Sequence, residues 1–262
     1  MYIDTHCHLD HPALSVRLPR VLAAARHSGV TGFVVPGVAP DGWADIAAIA
    51  AGEERVFPAF GLHPLLADCY DDHLMEELAR YAAGAAAIGE IGLDAAAEGV
   101  PRDVQVKAFR GQLRLAARLG LPVLVHCRGA FRDTIDILRQ EKAGDAGGIM
   151  HGFSGSPEIA LHCIAMGFKI SIAGTVTYRN AVKPLRLVDR IPLEHLVLET
   201  DAPDMTPEPY RGRVNEPAFR PEIAAKVAAI KGVSVEEVAA VTTANAERIL
   251  GIQGIPPRPP LS

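Results

Sequence analysis

Eight short apolar runs, each followed by a stretch with apolar residues at helical spacing, restrict what this chain can fold into. The runs cover residues 2–4, 32–36, 56–61, 85–90, 122–126, 148–151, 168–172 and 196–201. They are continuously or almost continuously apolar, the pattern of parallel strands covered on both faces. Between them, residues 18–27, 44–51, 71–82, 104–119, 130–140, 157–166 and 182–189 read as helices. A βα step of about 25 to 35 residues, taken eight times, predicts an α/β fold closed as a (β/α)8 TIM barrel. Two further helices, 221–230 and 234–249, would close it. A doubly wound open sheet is the alternative, but no Gly-x-Gly-x-x-Gly turn follows the first strand.

A chain of 262 residues suffices for one such barrel. Residues 1–252 are read as a single domain, and 253–262 as a proline-rich, extended tail. The formal charge of −5 argues against a broad basic surface for duplex DNA, yet leaves phosphate chemistry open. Cys7, Cys69, Cys127 and Cys163 lie far apart, with no zinc-ribbon spacing, and read as reduced thiols. The N-terminus is unlike a signal peptide, and no apolar run approaches the roughly 20 residues of a membrane span. The expectation is a cytoplasmic protein with no membrane contact and no evident obligate protein partner.

In Asp4-Thr5-His6-Cys7-His8, two imidazoles one residue apart on extended backbone point to one side. They follow the first strand, and His63, Glu90, His126, His151 and Asp201 each stand at the end of another. A parallel barrel brings all its strand ends to one mouth. His6, His8, Glu90, His126, His151 and Asp201 would there form a nitrogen and oxygen set for two divalent ions, with Glu90 as the bridging carboxylate. Such donors suit zinc, manganese, iron or nickel better than calcium. Magnesium also stays among the candidates, and the donor set does not select one metal. A water acidified by the ions, with Asp201 as ligand and proton acceptor, would make hydroxide near neutral pH for hydrolysis.

Other residues have less determined roles. His63 would orient substrate or leaving group, or simply bond within its loop. Asp94 supports a ligand from behind or caps its own loop. Arg128 and the run Arg211-Gly212-Arg213 would clamp a phosphate through forked donors, with Arg213 the choice within the run, while Arg211 reads equally well as a solvated surface residue. Glu199, two residues before Asp201, would reach a further ion or balance an arginine. His11, His27, His73, His162 and His195 fall outside strand ends and are read as non-ligands.

Six segments in order resemble the TatD-related metal-dependent hydrolases of the amidohydrolase-like barrel superfamily. They are Asp4-Thr5-His6-Cys7-His8-Leu9-Asp10, Gly61-Leu62-His63-Pro64, Gly89-Glu90-Ile91-Gly92-Leu93-Asp94, the run 121–128 ending in His126-Cys127-Arg128, His151-Gly152-Phe153-Ser154-Gly155-Ser156 and Leu198-Glu199-Thr200-Asp201-Ala202-Pro203. Gly167-Phe168-Lys169-Ile170 and Asp201-Ala202-Pro203-Asp204-Met205 look most like its YjjV-type branch. The resemblance implies one ion on His6, His8, Glu90 and Asp201, and a second on Glu90, His126 and His151. It also implies deoxyribonuclease or phosphodiesterase activity for some members; with the reading of the residues, the leading expectation is hydrolysis of single-stranded DNA or a small phosphodiester, Asp201 and Glu90 catalytic and His63, Arg128 and Arg213 binding substrate. Two departures stand out: Ala95-Ala96-Ala97-Glu98-Gly99 replaces a segment where many relatives carry an aromatic residue, and the chain is not basic. Amide or lactone hydrolysis by a similar barrel is the alternative. Many enzymes of that kind bridge their ions with a carboxylated lysine, and no lysine ends a strand here.

Overall fold

The computed structural model describes residues 1–252. The chain order is β1 (Tyr2–Asp4), α1 (Pro12–Ser15), α2 (Leu18–His27), β2 (Val30–Pro36), α3 (Trp43–Gly52), β3 (Val56–Phe60), α4 (Asp72–Ala82) and β4 (Ala87–Asp94). It continues with α5 (Arg102–Leu119), β5 (Val123–Arg128), α6 (Phe131–Gln140), β6 (Gly148–Met150), α7 (Pro157–Ala165) and β7 (Phe168–Ile172). Then come α8 (Lys183–Arg190), β8 (Leu196–Leu198), α9 (Arg220–Lys231) and α10 (Val235–Leu250). The strands lie in chain order in one parallel sheet. The seam between β8 and β1 is drawn together beyond the strands: Thr5 N donates to Leu198 O, Asp201 N to His6 O and His8 N to Ala202 O. The fold is the expected (β/α)8 barrel.

Alternation along the strands builds two apolar layers. Ile3, Val34, Ala59, Leu124, Ile149 and Val197 form one cluster, with Ala246, Leu250 and Ile252 from the end of α10 packed on it. Their neighbours Phe33, Val35, Val123, Val125 and Met150 belong to the cluster shared with the surrounding helices. Local signals set the helix ends. The side chains of Asp71, Ser156 and Ser234 accept from the backbone at Leu74, Ile159 and Glu237, and Gly120, Gly232 and Gly251 end α5, α9 and α10 in the left-handed region.

Several strand bounds differ from the sequence reading by one or two residues, as where β5 runs to Arg128, and the ends of β4 and β8 depart furthest. β4 continues four residues past Glu90, pairing Gly92 with His126 and Asp94 with Arg128. Gly92 permits this, because at φ 149° a Cβ would collide with the His126 carbonyl. β8 instead stops three residues short of Asp201, whose backbone turns into the left-handed region at φ 56°. The one-turn helix α1 went unforeseen, since four residues are too few to show a period. The proline-rich tail, 253–262, lies outside the described residues.

Candidate metal centre

Glu90 projects from a point in β4 where the pairing with β5 shifts register, and five imidazoles surround its carboxylate. Its Oε2 lies 3.2 Å from His6 Nε2 and 3.9 Å from His8 Nε2. Its Oε1 lies 2.8 Å from His126 Nδ1, 3.4 Å from His151 Nε2 and 3.5 Å from His63 Nε2. One oxygen therefore faces the β1 pair and the other the β3, β5 and β6 side. Asp201 approaches from the seam, its Oδ1 3.6 Å from His8, 3.7 Å from His6 and 4.0 Å from His151. The six residues expected as ligands are thus brought together around Glu90.

Two residues join them in an unexpected way. His63 forms a compact nitrogen and oxygen group with Glu90 and His126, their ligand atoms within 4.8 Å of one another, and its ring meets that of His126 edge-on at 4.4 Å. Glu199 is fully buried and, among the described residues, has no arginine in an ion pair with it; Oε1 accepts from Gly152 N at 2.7 Å and lies 3.1 Å from His151 Nδ1. Glu199 Oε2 has no hydrogen-bond partner. His6, His151 and Glu199 form another close group, and the first two rings stack at 3.5 Å.

The electrostatics follow from burial and crowding. Burial opposes charge on the His151 ring, but the carboxylates of Glu199, Glu90 and Asp201 outweigh it and push its pKa up to about 10. His6 moves down because burial and the neighbouring His151 both disfavour a second charge. Burial would raise Glu90, yet His151, His6 and His126 hold it well below the ordinary carboxylate range. Asp201 is lowered in the same way, by His151 and His8 against burial. Without ions, a proton on His151 balances part of that carboxylate charge.

Supports lie behind the cluster. Asp94 does both jobs considered for it: Oδ2 lies 3.2 Å from His126 Nε2, and Oδ1 accepts from Ala96 N at 2.7 Å. Two buried glutamines seven residues apart on α5 act alike. Gln112 accepts from Leu62 N and donates to Leu62 O, just before His63; Gln105 accepts from Asp94 N and donates to Asp94 O. Beneath the seam, Asp4 accepts from Thr200 N and Oγ1, next to Asp201. Burial raises the Asp4 carboxyl to about 7 against those bonds and the charge of Arg220. Arg220 is itself fully buried, 4.6 Å over the Tyr2 ring, with no hydrogen-bond partner on its nitrogens. Sequence reading missed Gln105, Gln112 and Arg220. Polar residues on the core face of a helix were the available signal for the glutamines.

Arg128 and Arg213 are exposed rather than inserted into the cluster. His11, read as a non-ligand, accepts from Ala13 N and caps α1. A cavity of about 530 Å3 opens near the starts of β3, β4 and β5 and the end of α10, away from the histidines. Size is a poorer guide here than chemistry, because the buried nitrogen and carboxylate groups converge at the other end of the strands. Those groups fit divalent ions: the donors are imidazole and carboxylate, and no Lys or Arg is among them.

Comparison with known proteins agrees with this geometry. The family described as TatD related DNase matches residues 3–251. Among curated proteins, the chain is 38% identical over 255 residues to the uncharacterized metal-dependent hydrolase YabD of Bacillus subtilis, covering 96% of this chain and 100% of the relative. It is 36% identical over 255 residues to the uncharacterized metal-dependent hydrolase YcfH of Escherichia coli, covering 95% and 96%. The crystal structure of YjjV, a TatD homolog from Escherichia coli, superposes with a TM-score of 0.89 at 32% identity, covering 95% of this chain and 97% of that one. A barrel with this imidazole and carboxylate mouth, matched along nearly its whole length, belongs to the TatD-related family of metal-dependent hydrolases.

Proposed function

We propose that this chain hydrolyses phosphodiester bonds, in single-stranded DNA or a smaller phosphodiester, with two divalent ions held on either side of Glu90. The observation that carries this reading is the division of the Glu90 carboxylate, Oε2 toward His6 and His8 and Oε1 toward His63, His126 and His151. His6, His8, Glu90 and Asp201 would hold one ion; Glu90, His126 and His151 would hold the other, with His63 beside it. When bound, zinc, manganese, magnesium, nickel or iron supplies Lewis-acid stabilisation of phosphoryl oxygens and acidifies water.

The chain's own groups do the rest. Asp201 stands at the seam with its side chain 12% exposed, close enough to solvent to take a proton from an attacking water, and its depressed pKa keeps it ionised. His8 and His126, with side chains 17% and 18% exposed, form the accessible rim of the cluster. Arg128 and Arg213 bind substrate oxygens through forked donors. Phosphoester is favoured over amide or lactone because the bridging position belongs to a glutamate. The one lysine within a strand, Lys169 of β7, donates to Glu194 O at an exposed position. A cytoplasmic setting is supported by four free cysteines, Cys69 among them exposed. Among the described residues, no helix is long and apolar enough to cross a membrane.

The test is hydrolysis of single-stranded DNA and of a chromogenic phosphodiester by the metal-loaded protein, beside Asp201→Ala. The reading expects a loss on the order of 10³-fold or more in the variant. Equal rates in the two proteins would defeat it.

A further inference from the structure

Glu90 and His126 stand inside strands and His151 directly follows one, so the sheet itself places them. Asp201 lacks that support, because it lies three residues beyond β8 with its backbone at φ 56°. A residue with a Cβ keeps such a conformation only where neighbouring groups hold it there. On the sheet side, Asp201 N donates to His6 O, and Asp4 accepts from Thr200 N and Oγ1. The other side is held by a residue much later in the chain, Asn215, which is fully buried and closes the excursion between β8 and α9.

Asn215 Nδ2 donates to Thr200 O at 2.8 Å and to Asp204 O at 2.6 Å, and its backbone N donates to Pro203 O at 3.0 Å. One side chain thus bridges the residue before Asp201 and the turn after it, which Asp204 N closes by donating to Asp201 O. An amide carries two donors on one nitrogen and can take both carbonyls at once, whereas a hydroxyl has one donor and a carboxylate none. The amide is held in its turn. Its Oδ1 accepts from Glu216 N, and Glu216 Oε1 accepts at 2.6 Å from Nη1 of Arg17, the residue that precedes α2. At the opposite end of β8, buried Asn245 of α10 makes the same arrangement, its Nδ2 donating to Leu193 O at 3.0 Å and Leu196 O at 2.8 Å. The two amides brace one strand, but of the two only Asn215 braces the segment that carries Asp201.

We propose that Asn215 is a positioning residue for Asp201. By holding the Thr200 and Asp204 carbonyls, it keeps the Asp201 carboxylate 3.6 Å from His8, 3.7 Å from His6 and 4.0 Å from His151. Without that brace the backbone at Asp201 relaxes, and the carboxylate leaves the position where it would share an ion and accept a proton. This rests on the reading of Asp201 as ligand and proton acceptor and adds the residue on which that role depends.

The experiment compares full-length native protein with Asn215→Ala, Asn245→Ala and Asp201→Ala, at a temperature where circular dichroism shows all four folded. Both asparagine variants strand two buried carbonyls and should lower Tm, so loss of stability alone does not separate them. The first readout is affinity for zinc or manganese in competition with a chromogenic chelator. Asn215→Ala should weaken, by about tenfold or more, the same ion that Asp201→Ala weakens, and Asn245→Ala should leave it as in native protein. The second is turnover of a chromogenic phosphodiester at saturating metal, where Asn215→Ala should lower kcat about tenfold or more with KM within about twofold, and Asn245→Ala should change neither. Should Asn215→Ala not fold, Asn215→Ser, which keeps a single donor, is compared with Asn245→Ser in the same two assays. Equal metal affinities in the Asn215 and Asn245 variants would overturn the proposal. If native protein hydrolysed no phosphodiester while the Asn215 variant still lost the ion that Asp201→Ala loses, the phosphodiesterase reading would fail and the positioning role would stand.

Discussion

Glu90 and His126 meet at 2.8 Å through Oε1 and Nδ1, while the other nitrogen of the same ring lies 3.2 Å from Asp94. The imidazole is thus held between two carboxylates: Glu90, which would share an ion with it under the proposed reading, and Asp94, which steers it from behind. Such outer partners fix ring orientation and raise ligand basicity. Asp94→Asn should therefore weaken binding of the second ion by about 10- to 100-fold while leaving the first nearly intact. Metal titration against a chelator would show it as the loss of one of two affinities.

Gln112 makes hydrogen bonds to both backbone groups of Leu62, accepting from its N–H and donating to its C=O. Gln112→Leu strands a buried N–H and a buried C=O, at a cost of about 2 kcal/mol or more. Urea unfolding should show the lower midpoint. His63, freed to drift from Glu90, should also make the second ion easier to remove. Gln112→Glu keeps the acceptor for Leu62 N but loses the donor to Leu62 O, and should remain folded with an intermediate midpoint.

Arg220 and Asp4 are both fully buried, and each is the main opposite charge for the other. The two charges face each other without direct contact, since no Arg220 nitrogen has a hydrogen-bond partner, and removing one leaves the other uncompensated, at a cost of up to about 3 to 5 kcal/mol. Arg220→Met alone should destabilise by roughly that much. The double variant with Asp4→Asn, which keeps an acceptor for Thr200 N, should recover much of the loss. A double-mutant cycle by chemical denaturation measures the coupling.

The metal-free protein should lose stability as pH rises. The folded pKa of His151, about 10, lies above its ordinary 6.5, so its contribution is full below pH 6.5 and lost as pH climbs through 10. Asp4, raised from 3.8 to about 7, acts in the same direction and loses its contribution as pH rises through 7. Glu90 and Asp201 are lowered, so their contributions are lost only on acidification. Divalent ions require neutral imidazole and take the place of those protons. The gap in Tm between metal-loaded and metal-free protein should widen from about pH 6 to about pH 9, as scanning calorimetry would record.

The barrel was legible because its strands are buried on both faces and so read as unbroken apolar runs. The convergence of the candidate residues was legible because a parallel barrel sends every strand end to one mouth, which makes His6, Glu90, His151 and Asp201 neighbours without any contact being known. Strand ends were less accessible. β4 outruns its apolar run because Gly92 lets it press against β5, a packing fact with no local signature. His63 carries the same letters whether it orients a substrate or stands beside His126. Only the position of its ring relative to Glu90 distinguishes the two. Gln105, Gln112 and Arg220 escaped notice because the alternation that marks a helix face treats a polar residue as solvent-facing, whereas these serve loops and charges inside.

The central claim is that one carboxylate, Glu90, joins two ions. It is tested most directly by metal content per chain after dialysis, measured by mass spectrometry on native protein, Glu90→Ala and His126→Ala. Two ions in the native protein, one in His126→Ala and close to none in Glu90→Ala are predicted. A Glu90→Ala protein that retained as much metal as His126→Ala would contradict it.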